Sequence, residues 1–292
     1  MRDLEAVLIA GPTASGKSQA AMHLAETRNG VIINADSMQV YEEIPTLTAR
    51  PSPEDEHALT HRLYGFRSGH DPYSVGAWLR DVETEIIQAR EACQTAFIVG
   101  GTGLYFLALL EGLSPIPDIP DDIRRYWRAE ALDKPAAELH ERLNECDPVM
   151  AETLEKADRQ RIVRALEVLE ATGKSLLDWQ KIKPTPLLDA DNCDKRVIAP
   201  DREILYARCD LRFEEMLAGG ALAEVESFLT LGINPENPIN GALGLRHLVG
   251  VISSEIDLEV ATELAKRDTR RYAKRQMSWL RRNMIAWKWE NT

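Results

Sequence analysis

The segment that most constrains this chain is "AVLIAGPTASGKSQAAMHLAE", which begins at Ala6. An apolar run typical of a strand leads into a loop bounded by glycines, and the loop leads into a sequence that favours a helix. The loop fits G-x-x-x-x-G-K-[ST], and the strand–loop–helix context makes that match specific. In such a loop, backbone N–H groups turn inward around an anion, and the helix adds the positive end of its dipole. The segment therefore predicts a cradle for linked phosphates.

The residue types within the cradle indicate what it binds besides phosphate. Lys17 supplies a positive charge, and Ser18 supplies a hydroxyl that can ligate Mg²⁺, so Mg²⁺ is the expected cofactor. The motif does not say what the phosphates are attached to, and ATP is only one candidate. The residues predicted to bind the phosphates are Gly11, Thr13, Ala14, Ser15, Gly16, Lys17 and Ser18.

Two further apolar runs, "GVIINADSMQVY" and "TAFIVGGTGLYFLALLEGL", have strand character and are followed by a turn. Three such units predict a doubly wound parallel sheet, which binds ligands at the carboxyl ends of its strands. Asp36 and Thr102 follow the two strands and should face that edge. A carboxylate there can ligate Mg²⁺ or accept a proton from a nucleophile. The alternatives are that Asp36 only caps the next turn and that Thr102 is an ordinary turn residue.

Composition limits the classes of protein to consider. The chain has 292 residues, of which 44% are apolar and 28% charged, which is ordinary for a globular protein. Its apolar runs are too short to span a bilayer, and its start lacks the features of a secretory signal. Four scattered cysteines indicate reduced thiols. We therefore expect a cytoplasmic protein with no membrane partner. The net charge of −12 argues against binding nucleic acid through overall charge, although a local basic patch remains possible.

The pattern changes after Gly112. "SPIPDIPDDIRRYW" is rich in Pro and Asp and predicts a linker, with a helix beginning at about Asp121. Helical sequence continues to about Gln180, and no strand is indicated until the run near Val197. The predicted fold class is α/β: a P-loop-type parallel sheet core with helices on both faces, plus an inserted all-helical subdomain. The core would comprise residues 1–115 and 197–292, and the insertion residues 116–196.

The last part of the chain contains a local basic stripe. Between Lys266 and Arg282, Asp268 is the one acid among eight basic residues. On a helix, positions 266, 270 and 274 form one ridge and positions 267, 271 and 275 form the next. Such a stripe on an acidic protein predicts contact with a nucleic-acid backbone, and an ordinary solvated face is the alternative. The stripe consists of Lys266, Arg267, Arg270, Arg271, Lys274, Arg275, Arg281 and Arg282.

Six blocks occur in the order seen in one enzyme family: "GPTASGKS", "NADSMQVY", "VGGTGLYFLALLEGLSPIP", "DRQRIVRALEVLEATGKS", "LYARCDLRFEEMLAGGALAEV" and "TRRYAKRQMSWLRR". From Leu8 to about Arg282 the chain resembles the bacterial tRNA dimethylallyltransferases, also called tRNA isopentenyltransferases. The resemblance implies that the cradle holds dimethylallyl diphosphate rather than ATP. It also implies that the prenyl group goes to the exocyclic amine of the adenosine beside the 3′ side of the anticodon. That base would have to be extruded into the crevice.

The resemblance assigns roles that agree with the chemistry. The adenine amine must lose a proton as it attacks, and Asp36 matches the family aspartate that would accept it. Lys17, a Mg²⁺ ion on Ser18 and inward N–H groups would stabilise the departing diphosphate. Two further matching arginines stand four residues apart on one helical face and could close over the diphosphate, although ordinary solvated arginines are the alternative. The catalytic set is thus Asp36, Lys17, Thr102, Arg208 and Arg212.

The resemblance also implies that the insertion grips the tRNA anticodon stem-loop, and we expect a monomer. Solvated helix charges remain the alternative for two of its arginines, at positions 124 and 164. The residues implied to bind tRNA are Asp36, Ser37, Met38, Gln39, Thr102, Arg124, Gln160, Arg161, Arg164, Arg246, Lys274, Arg275, Gln276 and Arg281.

The chain departs from the family pattern at G-L-R-H, where the family usually has G-Y-R-Q. Leu245 and His247 therefore lack the usual hydroxyl and amide, whereas Arg246 is retained. Two other functions remain open from the sequence. A small-metabolite kinase would use ATP at the same cradle but needs an adenine site and an arginine-bearing lid. A non-catalytic RNA-binding module would explain the basic stripe but not a cradle facing Asp36.

Overall fold

The protein is described here by a computed structural model that covers residues 4–291. Its strands are β1 (Ala6–Ala10), β2 (Gly30–Asn34), β3 (His61–Arg62), β4 (Thr95–Gly100), β5 (Cys193–Ile198) and β6 (Lys288–Glu290). Its helices are α1 (Lys17–Glu26), α2 (Pro45–Thr48), α3 (Pro53–Ala58), α4 (Val75–Glu91), α5 (Gly103–Glu111), α6 (Asp121–Asp133), α7 (Ala136–Cys146), α8 (Pro148–Glu152), α9 (Arg159–Thr172), α10 (Leu176–Gln180), α11 (Arg202–Ala218), α12 (Ala221–Thr230), α13 (Leu245–Ile252) and α14 (Leu258–Asn283).

The strands form one parallel sheet in the order β3-β2-β4-β1-β5-β6. The central strand β1 places Val7 opposite Phe97 of β4, and Ala6 opposite Cys193 of β5. Since all strands run the same way, their carboxyl ends meet at one edge. The predicted parallel sheet is confirmed. Over residues 4–291, no helix has the length and apolar character needed to span a bilayer.

Alternate residues of the strands explain why helices cover both faces of the sheet. Leu8 and Ile33 point to one face, where they pack in a cluster with Trp78 of α4. Val7 and Phe97 point to the other face and pack with Ala21 and Ala25 of α1. Strands buried on both sides are typical of doubly wound parallel sheets. The prediction of helices on both faces is confirmed.

The chain divides into two compact units. One runs up to Leu110 and resumes at Pro186, and the other spans Glu111–Thr185. The sequence predicted the insertion at 116–196, whereas the structure assigns residues 186–196 to the unit with the sheet. The reason is local: the N–H groups of Leu187 and Leu188 donate to the carbonyl of Leu109, and Leu188 is buried in the core beside the sheet.

The second unit contains α6 to α10 and no strand within 111–185, all of which the structure describes. Trp127, Leu139 and Leu166 are buried at its own core. The helix α9 begins after Asp158, whose side chain accepts from the N–H of Arg161, and ends at Gly173 with a φ of 67°. The Asp158 side chain and the left-handed Gly173 thus cap the two ends of this helix.

The tryptophans at the end of the chain, for which the sequence indicated no function, contribute packing. Trp287 packs edge-on against Phe106, with ring centroids 5.5 Å apart. Trp289 lies in β6 and donates its indole N–H to the carbonyl of Met284 at 3.1 Å. The strand β6 thereby closes the sheet beside β5.

Gly100, the last residue of β4, permits a close contact with the chain that follows β2. A Cβ at this position would lie 1.9 Å from the carbonyl oxygen of Ala35. We predict that Gly100→Ala lowers the free energy of unfolding by about 3 kcal/mol or more, because the backbone must shift to relieve the overlap. Urea unfolding measures this. The control is Gly76→Ala in α4, where a Cβ has its nearest neighbour at 3.9 Å and should be neutral or mildly stabilising. Equal midpoints for both variants would contradict the prediction.

Candidate active site

A crevice of about 320 Å³ lies in the unit that contains the sheet. Its lining brings together the phosphate cradle, the turn after β2 and one face of α11. Part of the lining is polar and part is apolar. The residues that form it are Thr13, Lys17, Ser18, Asp36, Ser37, Met38, Gln39, Leu47, Thr48, Cys209, Arg212, Phe213, Met216, Gly241, Leu243, Thr269, Tyr272 and Arg275.

The cradle has the geometry that the motif predicts. Ala14 and Gly16 adopt left-handed φ angles of 61° and 88°, and the N–H of Ser15 donates to the carbonyl of Pro12 at 3.2 Å. The helix α1 begins directly afterwards at Lys17, and no side chain caps its N-terminus. Backbone N–H groups at an uncapped helix start can therefore bind an anion.

Lys17 is a half-buried cation beside the cradle. Its ammonium donates to the carbonyl of Pro12 at 3.3 Å. Burial lowers the pKa of Lys17 from 10.5 to about 8; nearby Asp36 opposes this shift, and Arg212 adds to it. Desolvation disfavours the protonated form of Lys17, whereas an anion bound in the crevice would favour it and raise the pKa again.

Arg208 and Arg212 of α11 both reach the cradle, as their spacing of four predicts. The guanidinium of Arg208 donates to the carbonyl of Ser15 at 3.3 Å. That of Arg212 donates to the hydroxyl of Thr13 at 3.4 Å and to the carbonyl of Thr48 at 3.3 Å. Burial lowers the pKa of Arg212, whereas Asp36 raises it. Both side chains are half-buried and hydrogen-bonded to the cradle, and Arg212 also lines the crevice.

Asp36 lines the crevice and also caps the turn that follows it. One carboxylate oxygen accepts from the N–H of Met38 at 3.0 Å. Its backbone is held by Asn34, a fully buried side chain that accepts from the Asp36 N–H at 2.8 Å and donates to the Leu63 carbonyl. The cap and the predicted catalytic position therefore coexist. Asn34 was missed from the sequence, where its only signal is an amide at the end of an apolar strand.

Thr102 joins the turns after β2 and β4. Its hydroxyl accepts from the N–H of Ser37 at 3.0 Å and lies 3.4 Å from the Ser37 hydroxyl. Its own N–H donates to the carbonyl of Ala35 at 3.2 Å. Thr102 therefore holds the segment that carries Asp36, which places it beside the predicted reaction centre.

One wall of the crevice comes from residues that the sequence did not single out. The short helix α2 supplies Leu47 and Thr48 to this wall. Glu224 accepts from the N–H groups of Thr46 and Leu47 at 2.7 and 2.9 Å, and Gln39 donates to the carbonyls at the other end of α2. The helix is thus capped at both ends by side chains from elsewhere in the unit. The apolar lining is completed by Met38, Phe213, Met216 and Leu243.

The basic stripe on α14 divides into two parts. In the first part, Lys266 pairs with Glu214 at 2.6 Å and Arg270 pairs with Asp210. Arg267 and Arg271, also in this part, lie 3.6 and 3.7 Å from Asp268. The second part consists of the four basic residues from position 274 onward. Within residues 4–291, no carboxylate lies within 4.0 Å of the charged group of any of these four side chains. The structure therefore leaves the second part as the basic surface. Its members are Lys274, Arg275, Arg281 and Arg282, all exposed.

His247, which departs from the family pattern, and the retained Arg246 form a separate cluster around Asp268. His247 Nε2 lies 2.9 Å from a carboxylate oxygen of Asp268, and Arg246 donates to the same oxygen. Burial would raise the pKa of Asp268, but hydrogen bonds from His247 and Arg246 outweigh it and lower the pKa to about 2. Leu245 is buried, whereas the Arg246 side chain is 72% exposed.

The remaining predicted tRNA contacts lie in the helical unit. Gln160 and Arg161 are exposed at the start of α9, where Arg161 pairs with Asp158 at 3.3 Å. Arg164 lies 3.4 Å from the buried carboxylate of Glu167, and Arg124 is half-buried on α6. Their contact with RNA stays a prediction.

The residues present suit a magnesium ion that a diphosphate would bring. Over residues 4–291 no group of three or more His, Cys, Asp or Glu side chains could hold a metal alone. Ser18 and Asp36 both line the crevice. One hydroxyl and one carboxylate, together with substrate phosphates, are typical ligands of Mg²⁺.

We predict that the crevice binds an alkyl diphosphate more weakly as the pH rises above 8. Lys17 has a pKa of about 8, so above this pH its neutral amine must gain a proton when the anion binds. The dissociation constant should then rise by up to about tenfold per pH unit, until the pH exceeds the pKa that Lys17 has in the complex. Calorimetric titration between pH 7 and 10 measures this. Lys17→Met should bind weakly with no such slope, and an equal slope in both proteins would contradict the prediction.

Two family models match the chain. The model described as "IPP transferase" matches residues 39–283, and the one described as "Isopentenyl transferase" matches residues 4–69. Among solved structures, a tRNA isopentenylpyrophosphate transferase from Bacillus halodurans superposes with a TM-score of 0.69 at 29% identity, covering 98% of this chain and 89% of that one. A eukaryotic dimethylallyltransferase acting on tRNA gives a TM-score of 0.81 at 26% identity, covering 94% of this chain and 69% of that one.

Curated relatives agree with this match over nearly the whole length. A tRNA dimethylallyltransferase from Parvibaculum lavamentivorans is 50% identical over 283 residues, which cover 97% of this chain and 90% of the relative. Another from Chelativorans is 47% identical over 287 residues, which cover 98% of both. Together with the site geometry, these matches show that the chain belongs to the tRNA dimethylallyltransferase family.

Proposed function

We propose that this enzyme transfers the dimethylallyl group of dimethylallyl diphosphate to the exocyclic amine of the adenosine on the 3′ side of the anticodon, releasing diphosphate. One observation carries the proposal. A cationic cradle containing Lys17 and Arg212 shares a single crevice with the Asp36 carboxylate and an apolar wall. Membership of the prenyltransferase family supports the same reaction.

The carboxylate and the two cations of the crevice have different roles in the reaction. The amine nitrogen attacks the first carbon of the prenyl group, the carbon–oxygen bond to diphosphate breaks, and the amine proton passes to Asp36. Lys17 and Arg212 stabilise the charge that develops on the leaving group. Because both cations are partly desolvated, their interaction with that charge is stronger than it would be in water.

The apolar wall distinguishes a prenyl donor from a nucleotide. Leu47 and Phe213 are buried, and Met216 is half-buried beside them at the crevice. These side chains suit a five-carbon branched chain adjoining the cradle. A small-metabolite kinase would need polar contacts for ribose and an acceptor hydroxyl in this position, so the wall favours prenyl transfer.

The residues that would hold Mg²⁺ are Ser18 and Asp36, together with the phosphates of the donor. The ion would neutralise the charge on the departing diphosphate. The tRNA would contact the exposed residues Lys274, Arg275 and Arg281. An anticodon loop presents phosphates to such a surface and an unpaired base to the crevice.

The experiment that tests the function omits ATP. The protein is incubated with Mg²⁺, unmodified tRNA and labelled dimethylallyl diphosphate. We expect label on adenosine, with diphosphate released in equal amount. A requirement for ATP would support the kinase alternative, and tRNA binding without transfer would support the non-catalytic module.

Asp36→Ala should lower turnover by about 10²- to 10⁴-fold, the usual contribution of a general base. The affinity for tRNA should change little, since the carboxylate contributes no positive charge. Single-turnover assays and filter binding measure the two quantities. The control is Asp71→Ala, which removes an exposed carboxylate from the same unit. Equal losses of turnover and tRNA affinity in Asp36→Ala would give this residue a structural role only.

Lys274→Gln should weaken tRNA binding and reduce the slope of log affinity against log salt by about 0.7 to 0.9, as expected when one phosphate contact is lost. Lys266→Gln is the matched control on the same helix. Lys266 is paired with Glu214 and Glu263, so its charge is already compensated and its loss should matter less. Filter binding from 50 to 300 mM salt measures both. Identical slopes for the two variants would indicate that the stripe is only a solvated face.

A further inference from the structure

Gln276 does not present its amide to solvent. Its side chain is 8% exposed, and both ends of the amide are engaged. The oxygen accepts from the N–H of Thr13 at 2.8 Å, and the nitrogen donates to the carbonyl of Gly101 at 2.9 Å. Family resemblance implies that Gln276 contacts tRNA, but the contacts present here are with two loops of the same unit.

The helix α14 is packed tightly against the second of these loops. A Cβ at Gly101 would lie 2.4 Å from the Gln276 amide nitrogen, and a Cβ at Gly103 would lie 2.0 Å from the ring of Trp279. The absence of side chains at the two glycines therefore allows the helix to approach the backbone on both sides of Thr102. Such an approach holds the loop in one position relative to the helix.

The two loops joined by Gln276 serve different parts of the site: one binds the leaving group, and the other positions the segment that carries the base. Thr13 belongs to the cradle, and its hydroxyl accepts from Arg212. The loop at Gly101 carries Thr102, which holds the N–H of Ser37 next to Asp36. The distance between the leaving group and the base thus depends on how these loops are spaced, and a misplacement of about 1 Å can lower a rate 10²-fold.

We infer that Gln276 is a positioning residue that holds the phosphate cradle against the loop bearing Thr102, and that it does not contact tRNA. The role rests on the proposed function. Two nearby residues of α14 therefore differ in function. Lys274 is exposed to solvent, whereas Gln276, two residues later, contacts the loops at Thr13 and Gly101. The helix α14 therefore carries the basic surface on one side and the frame of the active site on the other.

The first test compares Gln276→Met with Lys274→Gln. Methionine keeps the length and burial of the side chain and removes both hydrogen bonds. We expect Gln276→Met to lower the single-turnover rate about 10- to 100-fold while the tRNA dissociation constant changes less than twofold. Lys274→Gln, in the proposed tRNA-binding surface, should instead weaken tRNA binding several-fold. Loss of tRNA affinity in Gln276→Met with an unchanged rate would overturn the inference.

A second variant tests the hydrogen bonds directly. In Gln276→Glu the neutral acid can still accept from Thr13 and donate to Gly101, whereas the ionised form brings an oxygen against the Gly101 carbonyl. The rate relative to wild type should therefore rise as the pH falls, and the Gln276→Met ratio should stay flat. The ionisable groups of the crevice are the same in both proteins, so the ratio removes their contribution. A flat ratio for Gln276→Glu would show that the bonds do not set the rate.

Two controls make the outcome unambiguous. Urea unfolding reports whether either variant loses its fold. If Gln276→Met is unfolded, the test uses Gln276→Glu instead, because glutamate keeps the polarity of the site. Binding of inorganic diphosphate is measured without tRNA and needs only the cradle. If wild type transfers no prenyl group, the proposed function fails. If wild type transfers the prenyl group and Gln276→Met does so at the same rate while binding diphosphate normally, the positioning role fails separately.

Discussion

The active site depends on two half-buried cations that share one carboxylate. Lys17 and Arg212 are both desolvated, and burial lowers the pKa of each while Asp36 raises it. A site with more buried positive than negative charge is costly for the free protein, and the missing charge is what a diphosphate supplies. The fold meets this cost with backbone contacts: Arg212 donates to the carbonyl of Thr48, and Lys17 donates to that of Pro12.

The same arrangement explains why several elements must converge. The cradle comes from the turn after β1, Asp36 from the turn after β2, Thr102 from the turn after β4, and Arg212 from α11. Parallel strands bring the first three turns to one edge of the sheet. The helix α14 then packs against two of the turns through Gln276 and Trp279, while Lys274 and Arg275 remain exposed on it.

Much of this could be predicted because it depends on short segments. The cradle, the strand before Asp36 and the strand before Thr102 follow from local patterns of apolar residues and glycines. The predicted insertion of 116–196 differed from the compact unit Glu111–Thr185, because contacts between Leu109 and the returning chain lie far apart in sequence. The charge of Lys266 looked available for RNA but is paired with Glu214 from another helix.

By itself, the sequence determined the chemistry at hand: a phosphate cradle with its lysine, a carboxylate after the second strand, paired arginines and a basic C-terminal helix. Only the tertiary structure decided which of these groups face each other, which basic residues remain unpaired by a carboxylate in the described chain, and that Gln276 bridges two loops. The reason is physical. Residue type and local spacing set what a side chain can do, whereas burial and long-range hydrogen bonds set the charge it carries and the partner it meets.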